Sequence, residues 1–120
     1  MRIFKKCLGI LSIFIIVGAT IACSNEDQVR KRLLLKTPIG SSFDHVLNFC
    51  IHKNIKCKHS YNSGYLNQKT NSTVGVMSIW GIVEEYKNTP FTVKSTSAYW
   101  GFDASGRLID IWVWQTTDAP

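Results

Sequence analysis

The chain has 120 residues, with 14 basic and 8 acidic side chains and a formal net charge of +6 at neutral pH. This length gives room for one small domain and no more. Arg2, Lys5 and Lys6 precede a long apolar segment and every acidic residue follows Cys23, so the chain from Cys23 onward carries only 11 − 8 = +3, which does not predict nucleic-acid binding.

Residues 1–22 have the pattern of a secretion signal. The positive residues are followed by an uncharged, mostly apolar stretch over residues 7–22, which ends in small side chains. This stretch is shorter than the ~20 residues that cross a bilayer comfortably. We therefore predict a signal peptide over residues 1–22.

The end of that signal, Ala19-Thr20-Ile21-Ala22-Cys23, resembles the lipobox of bacterial lipoproteins. The resemblance implies cleavage before Cys23, a diacylglycerol thioether on its thiol and acylation of the new N-terminus, which together give a stable anchor because more than one acyl chain is buried. Thr20 departs from the leucine that is usual there. Ser24, in place of aspartate, implies sorting to the outer membrane, facing the periplasm, with the inner membrane as the alternative. The competing interpretations are an uncleaved signal anchor, or ordinary cleavage with Cys23 incidental.

Residues 23–36 are predicted to be a lipid-anchored tether that runs into a short helix or turn. Its basic residues either contact anionic headgroups near the anchor or form a solvated helix face, and the second interpretation is favoured. They are Arg30, Lys31, Arg32 and Lys36.

Cysteine use agrees with export. Cys7 leaves with the signal and Cys23 takes the lipid, so Cys50 and Cys57 remain as an even pair in an oxidising compartment. We predict a disulfide between them, worth roughly 2.5 kcal/mol in the chain-entropy model. Free buried thiols are the alternative, and a zinc site is disfavoured because the spacing is not that of a C-x2-C knuckle.

The remaining chain, residues 37–120, is predicted to form a small α+β domain. One helix, or two, would pack on a three-stranded antiparallel meander. The helix is expected over 42–53, where Ser41 and Asp44 fit a capping pattern and the apolar side chains follow helical spacing at Phe43, Val46, Leu47, Cys50 and Ile51. Residues 55–58 suggest a short strand, and 59–73 a loop that Tyr65-Leu66 pins to the core. The strands are expected over 74–86, 91–102 and 107–115, with turns at 87–90 and 103–106 and a frayed polar tail over 116–120.

Two family resemblances follow from these motifs. Gly40-Ser41-Ser42-Phe43-Asp44-His45-Val46-Leu47, and Trp100-Gly101-Phe102-Asp103 with Gly106-Arg107-Leu108-Ile109, resemble the small outer-membrane lipoproteins of the SmpA/OmlA (BamE-like) type. The likeness spans residues 37–115 and implies a fold more than a function. The chain is also similar in size and build to lipoprotein immunity proteins, which neutralise toxins in the periplasm.

No residue pattern favours catalysis, a metal or a cofactor. His45, His52 and His59 are spaced by seven but are better explained as exposed histidines, and Glu84 and Glu85 would point to opposite faces of a strand. Hydrolase, metalloprotease and phosphate-loop motifs are absent.

The aromatic residues of the last strands instead indicate binding. Side chains alternate along the last predicted strand, so one face of the sheet would carry Ile109, Ile111 and Val113. The second face would carry Leu108, Asp110, Trp112 and Trp114. We expect the second face to dock a protein partner, and its predicted contact residues are Trp100, Phe102, Trp112 and Trp114. The alternative is that residues 24–36, with Leu33-Leu34-Leu35, cover this face. The predicted function is therefore a non-catalytic, lipid-anchored lipoprotein that assists envelope assembly or integrity; the alternatives are an immunity protein and, least favoured, a lipid-anchored enzyme.

Overall fold

Two helices precede antiparallel strands in the computed structural model, which describes residues 24–118. The predicted signal peptide, Cys23 and the last two residues lie outside the described range. No helix within that range is long and apolar enough to span a bilayer. The elements are α1 Asn25–Lys36, α2 Phe43–His52, β1 Lys58–Ser60, β2 Tyr65–Asn67, β3 Ser72–Val74, β4 Met77–Thr89, β5 Thr92–Phe102 and β6 Leu108–Asp118.

The predicted α+β class is confirmed, but the sheet differs in detail from the predicted meander. Four strands form the main sheet in the order β1-β4-β5-β6, and β2 pairs with β3 in a separate two-stranded hairpin. The region 59–73 that we expected to be a loop therefore contributes the end of β1, all of β2 and the start of β3. β4 and β6 also run to Thr89 and Asp118, so the turn at 87–90 is narrower and the tail more ordered than predicted.

The segment expected to be mostly a tether forms the 12-residue helix α1. Ser24 caps its N-terminus, where the side-chain oxygen accepts from the Asp27 N–H at 3.1 Å. Only Val29 and Leu33 are buried, which is too few to give a clear apolar periodicity in the sequence. The helix consequently depends on contacts to the rest of the domain.

Those contacts are hydrogen bonds to the edge strand β6. The Glu26 carboxylate accepts from the Gln115 N–H at 2.8 Å, and Arg30 Nε donates to the Ile111 carbonyl at 2.7 Å. Both bonds satisfy backbone groups that an edge strand leaves unpaired. α1 is thus fixed along β6 and blocks strand addition at that edge.

α2 forms where the apolar spacing predicted it, with a different cap. Ser42, rather than Ser41, accepts from the His45 N–H at 3.1 Å, while the Ser41 hydroxyl donates to the Pro38 carbonyl at 2.6 Å. Its stripe is also narrower than predicted, because Ile51 is exposed. The predicted Cys50–Cys57 disulfide is present and joins α2 to the segment before β1.

The core lies between the helices and one face of the main sheet. Ile79, Trp100 and Ile111 stand side by side across β4, β5 and β6 and are fully buried or nearly so. Trp100 Nε1 donates to Thr37 Oγ1 at 3.1 Å, and that hydroxyl donates to the Leu33 carbonyl at 2.7 Å. The one polar atom of this buried indole is therefore satisfied, as burial of an N–H requires.

The hairpin at 103–106 is confirmed, and it carries a bulge that alternation did not predict. The Arg107 N–H and the Ser105 hydroxyl both donate to the Asp103 carboxylate. These hydrogen bonds, the one from Arg107 most strongly, hold the pKa of that carboxyl below its usual value. Phe102 pairs with Leu108 but Gly101 pairs with Asp110, so Ile109 is an extra residue. Leu108 therefore joins the core and Ile109 is exposed, contrary to the predicted face assignment.

Candidate partner-binding face

The sheet face opposite the helices carries most of the remaining aromatic side chains. Because side chains alternate along a strand, the neighbours of Trp100 and Ile111 point away from the core. Trp80, Tyr99 and Trp112 form one row across three strands, and Ile82, Ser97 and Trp114 form the next. We call the side of the sheet that bears these two rows the aromatic face.

One end of the aromatic face is closed by the β2–β3 hairpin. The Tyr65 ring stacks on Trp112 with centroids 6.1 Å apart and lies 5.8 Å from the Tyr99 ring. A Cβ at Gly101 would stand 2.9 Å from Tyr65 Cε2, so only glycine admits the ring this close to the sheet. The Ser78 hydroxyl donates to the Ser63 carbonyl at 2.9 Å and holds the loop before β2.

The other end of the aromatic face is open among the described residues. Trp112 is only 8% exposed, because Tyr65, Tyr99 and Trp114 surround its ring. Trp114 is half-buried and packs edge-on against Trp112 at 4.8 Å, whereas Ile82 in the same row is 48% exposed. A partner approaching this face would therefore touch Trp114 and Ile82 before Trp112.

The four predicted contact residues therefore do not lie on one face of the sheet. Trp100 and Phe102 lie on the helix-facing side, fully buried, so they cannot contribute to the aromatic face. The alternative, cover of this face by residues 24–36, is also wrong, since Leu33 packs in the helix-side core and Tyr65 packs on the second face instead. Sequence reasoning missed Trp80, although its alternation with Ile79 was a signal that placed it opposite the core.

Charged side chains lie at both ends of the aromatic face. At the open end, Glu85 accepts from the Ser95 hydroxyl in the row beyond Ile82, and Glu26, bonded to Gln115, lies 3.8 Å from Lys69. At the closed end, Asp110 accepts from Arg30 at 2.7 Å and from the Ile111 N–H at 2.8 Å. The Tyr65 hydroxyl nearby is buried without a hydrogen-bond partner among residues 24–118. Burial, and then the charge of Asp110, raise the pKa of Tyr65, while Arg30 opposes them. The row of Ile82, Ser97 and Trp114 itself bears no charged side chain.

The other candidate residues are dispersed. His45 Nε2 lies 3.0 Å from the Lys36 carbonyl, His52 Nδ1 lies 2.9 Å from the Asn48 carbonyl, and His59 packs against aromatic rings. No group of three or more potential metal ligands occurs within the described residues. Glu84 and Glu85 contact Arg32 on the helix side and Ser95 on the aromatic side, so their predicted divergence is confirmed.

Comparisons with known proteins assign no family to this chain. No family model matches it, and no significant similarity to a curated protein or a solved structure is found. The resemblances to SmpA/OmlA-type lipoproteins and to immunity proteins remain expectations from the sequence motifs. Function therefore has to be inferred from the aromatic face and from the position of the predicted anchor.

Proposed function

We propose that this protein is a non-catalytic, lipid-anchored envelope lipoprotein that binds a protein partner through the open end of its aromatic face. In the envelope it would act as an accessory of outer-membrane assembly or integrity. The observation that carries this proposal is a partly accessible Trp114 in the same row as an exposed Ile82, with only the small side chain of Ser97 between them, on the sheet face that the helices leave free.

The chemistry of this open end suits protein recognition. Tryptophan and tyrosine are enriched among the residues that dominate binding energy, and they work best when neighbouring contacts hold them rigid. Trp114 is held by Trp112, which is itself stacked on Tyr99 at 4.9 Å. Ile82, Ser97 and Trp114 carry no charge, so the centre of this contact requires no desolvation of an ion. Lys56 and Glu85 line the surface beside Ile82 and would form the charged rim of the contact.

The start of α1 supports a position at the membrane surface. Glu26 is three positions after Cys23, and three residue steps span at most about 11 Å even when extended. Glu26 is bonded to Gln115, the neighbour of Trp114. A lipid on Cys23 would therefore hold the open end of the aromatic face close to the membrane, because almost no free chain would separate the lipid from the domain. This position would favour partners that also lie at the membrane.

The anchor is tested by the intact mass of the protein extracted from membranes. We expect the mass of residues 23–120 plus three acyl chains, increasing by two hydrogens when the Cys50–Cys57 bridge is reduced. An unprocessed mass would contradict the anchor and leave the binding face without its proposed location.

The binding face is tested by affinity capture from crosslinked membranes with Trp114→Ala and, as a matched control, Tyr61→Ala. Tyr61 is an exposed aromatic residue just after β1, at the closed end of the sheet. We expect Trp114→Ala to lose a partner that Tyr61→Ala retains. Capture of a toxin that the protein inactivates would keep the face but replace the accessory function with immunity; unchanged capture by Trp114→Ala would refute the face.

A further inference from the structure

A groove separates the two helices on the side of the sheet opposite the aromatic face. Its volume is about 390 Å³, within the range of small-molecule sites. Val83 and Glu84, at the bulge in β4, complete the lining between α1 and α2. The groove is therefore built by three elements that the fold fixes independently of Trp114.

The walls of the groove are mostly apolar. Leu35, on its α1 side, is 78% exposed, which extends the apolar surface outward from the groove. A long aliphatic chain would replace water along these walls, because apolar surface gains free energy when it leaves water. The apolar lining residues are Val29, Leu33, Leu35, Phe49, Ile55 and Val83.

The polar lining residues are three cations and one carboxylate. Arg32 donates to Glu84 at 2.9 Å, so these two charges largely compensate each other. Lys36 and Lys53 have no ion-pair partner within residues 24–118. The groove thus combines an apolar interior with two uncompensated positive charges, from the ends of two different helices.

We propose that this groove binds a single-chain anionic amphiphile of the fatty-acid class. The acyl chain lies along the apolar walls, and the carboxylate is held by Lys36 and Lys53. The two lysines match one carboxylate in charge sign, whereas a neutral lipid would leave both of them without a counter-ion beside an apolar ligand. This site is separate from the proposed partner-binding face and does not depend on it.

The proposal is tested by photolabelling the full-length protein in its own membranes with palmitic acid that bears a diazirine in its chain. Peptide mass spectrometry then locates the adducts. We expect adducts on the segments 29–36 and 49–55, which form the groove walls. Unlabelled palmitate should compete with the label, and hexadecanol, which has the same chain without the charge, should compete far less.

Charge variants sharpen the test. Lys36→Glu and Lys53→Glu are each expected to reduce groove labelling by about tenfold, because they replace an attraction by a repulsion. Lys31→Glu and Lys56→Glu make the same charge change on exposed residues outside this groove and should leave labelling unchanged. Glu84→Gln removes the competing carboxylate and should increase labelling by about threefold.

Three outcomes would overturn the proposal. Equal competition by hexadecanol would show that the charge is not recognised. Adducts spread over the surface would show simple partition into the membrane. Loss of a crosslinked protein neighbour in Lys36→Glu and Lys53→Glu, with the groove unlabelled by the fatty acid, would identify a protein segment as the occupant instead. Trp114→Ala should leave groove labelling intact, so failure of the partner-binding proposal is read separately.

Discussion

The two faces of the main sheet use the same residue types to different ends. On the helix side, Trp100 is fully buried, hydrogen-bonded to Thr37 and packed against Phe49. On the opposite side, Trp114 is half-buried and lies in one row with Ser97 and the exposed Ile82. The two faces differ in what covers them. Two helices cover the first face, whereas a hairpin of two three-residue strands covers one end of the second.

This comparison separates a residue that specifies the fold from one that is available for binding. A core tryptophan fills space that nothing else fills, so its loss leaves a cavity. Trp114 contributes less to packing, because part of its ring already contacts solvent. Substitutions at positions that fix, close or occupy the two faces should therefore differ in their effect on stability.

The largest effect is expected from insertion of one alanine between Asp110 and Ile111, just after the bulge that sets which side chains of β5 and β6 share a face. The inserted residue would take the place of Ile111 opposite Trp100, so Ile111 and Val113 would turn to the aromatic face, because a register slip of one residue moves every side chain of a strand to the other side. We expect a loss of more than about 5 kcal/mol, enough to abolish cooperative unfolding. The control Ile109→Thr keeps the residue count and should change the free energy of unfolding by under about 0.5 kcal/mol, since this side chain is exposed.

This bulge also explains the main error of the sequence-based prediction. Alternation correctly grouped Trp112 with Trp114, but the face that Trp100 shares depends on the register between β5 and β6. A register without the bulge would pair Trp100 with Asp110 and so place Trp100 on the same face as Trp112, which is the arrangement we predicted. The exposed Ile109 looks like any other aliphatic strand residue in the sequence, so the shift was not detectable from the pattern.

Other parts of the fold were predictable because their causes are local. The spacing of Phe43, Val46 and Cys50 predicted α2, and the Asp103–Gly106 turn predicted the last hairpin, where Gly106 has a φ of 82°. α1 was largely missed because its stabilising bonds, Glu26 to Gln115 and Arg30 to Ile111, join residues 89 and 81 positions apart. Such polar contacts leave no periodic signal.

Trp100→Ala should come next in size. We expect it to lower the free energy of unfolding by about 3–5 kcal/mol, through lost burial and a cavity against the helices. Trp114→Ala should cost about 1 kcal/mol, since its ring is partly exposed. Urea denaturation of the two variants measures both values; equal losses would contradict the separation between the two faces.

The disulfide supports the helix-covered face. Replacing Cys50 and Cys57 together by serine should cost roughly 2.5 kcal/mol, because the unfolded chain regains the entropy of an open loop. Thermal unfolding of this variant should match that of the reduced wild-type protein. A variant as stable as the oxidised protein would show that packing alone fixes the end of α2.

Tyr65→Phe should have a smaller effect of opposite sign. Its hydroxyl is buried without a partner within the described chain, so removing the oxygen should stabilise the fold by about 1 kcal/mol. The raised pKa of Tyr65 means that the folded protein keeps a proton which the unfolded chain loses above pH ~10. The stability of the wild type should therefore fall as the pH rises above that value, and Tyr65→Phe should lose this component; an unchanged pH profile would contradict the burial of the hydroxyl.

The open end of the aromatic face is the surface that we propose binds a protein. A photo-crosslinking amino acid at Ile82, which is 48% exposed on that face, tests this proposal in growing cells. The control position is Ile39, which is 56% exposed on the connection between the helices. We predict a discrete protein adduct from position 82 that disappears with Trp114→Ala and does not form from position 39. Identical adducts from both positions, or none from position 82 in a correctly folded protein, would contradict the proposal.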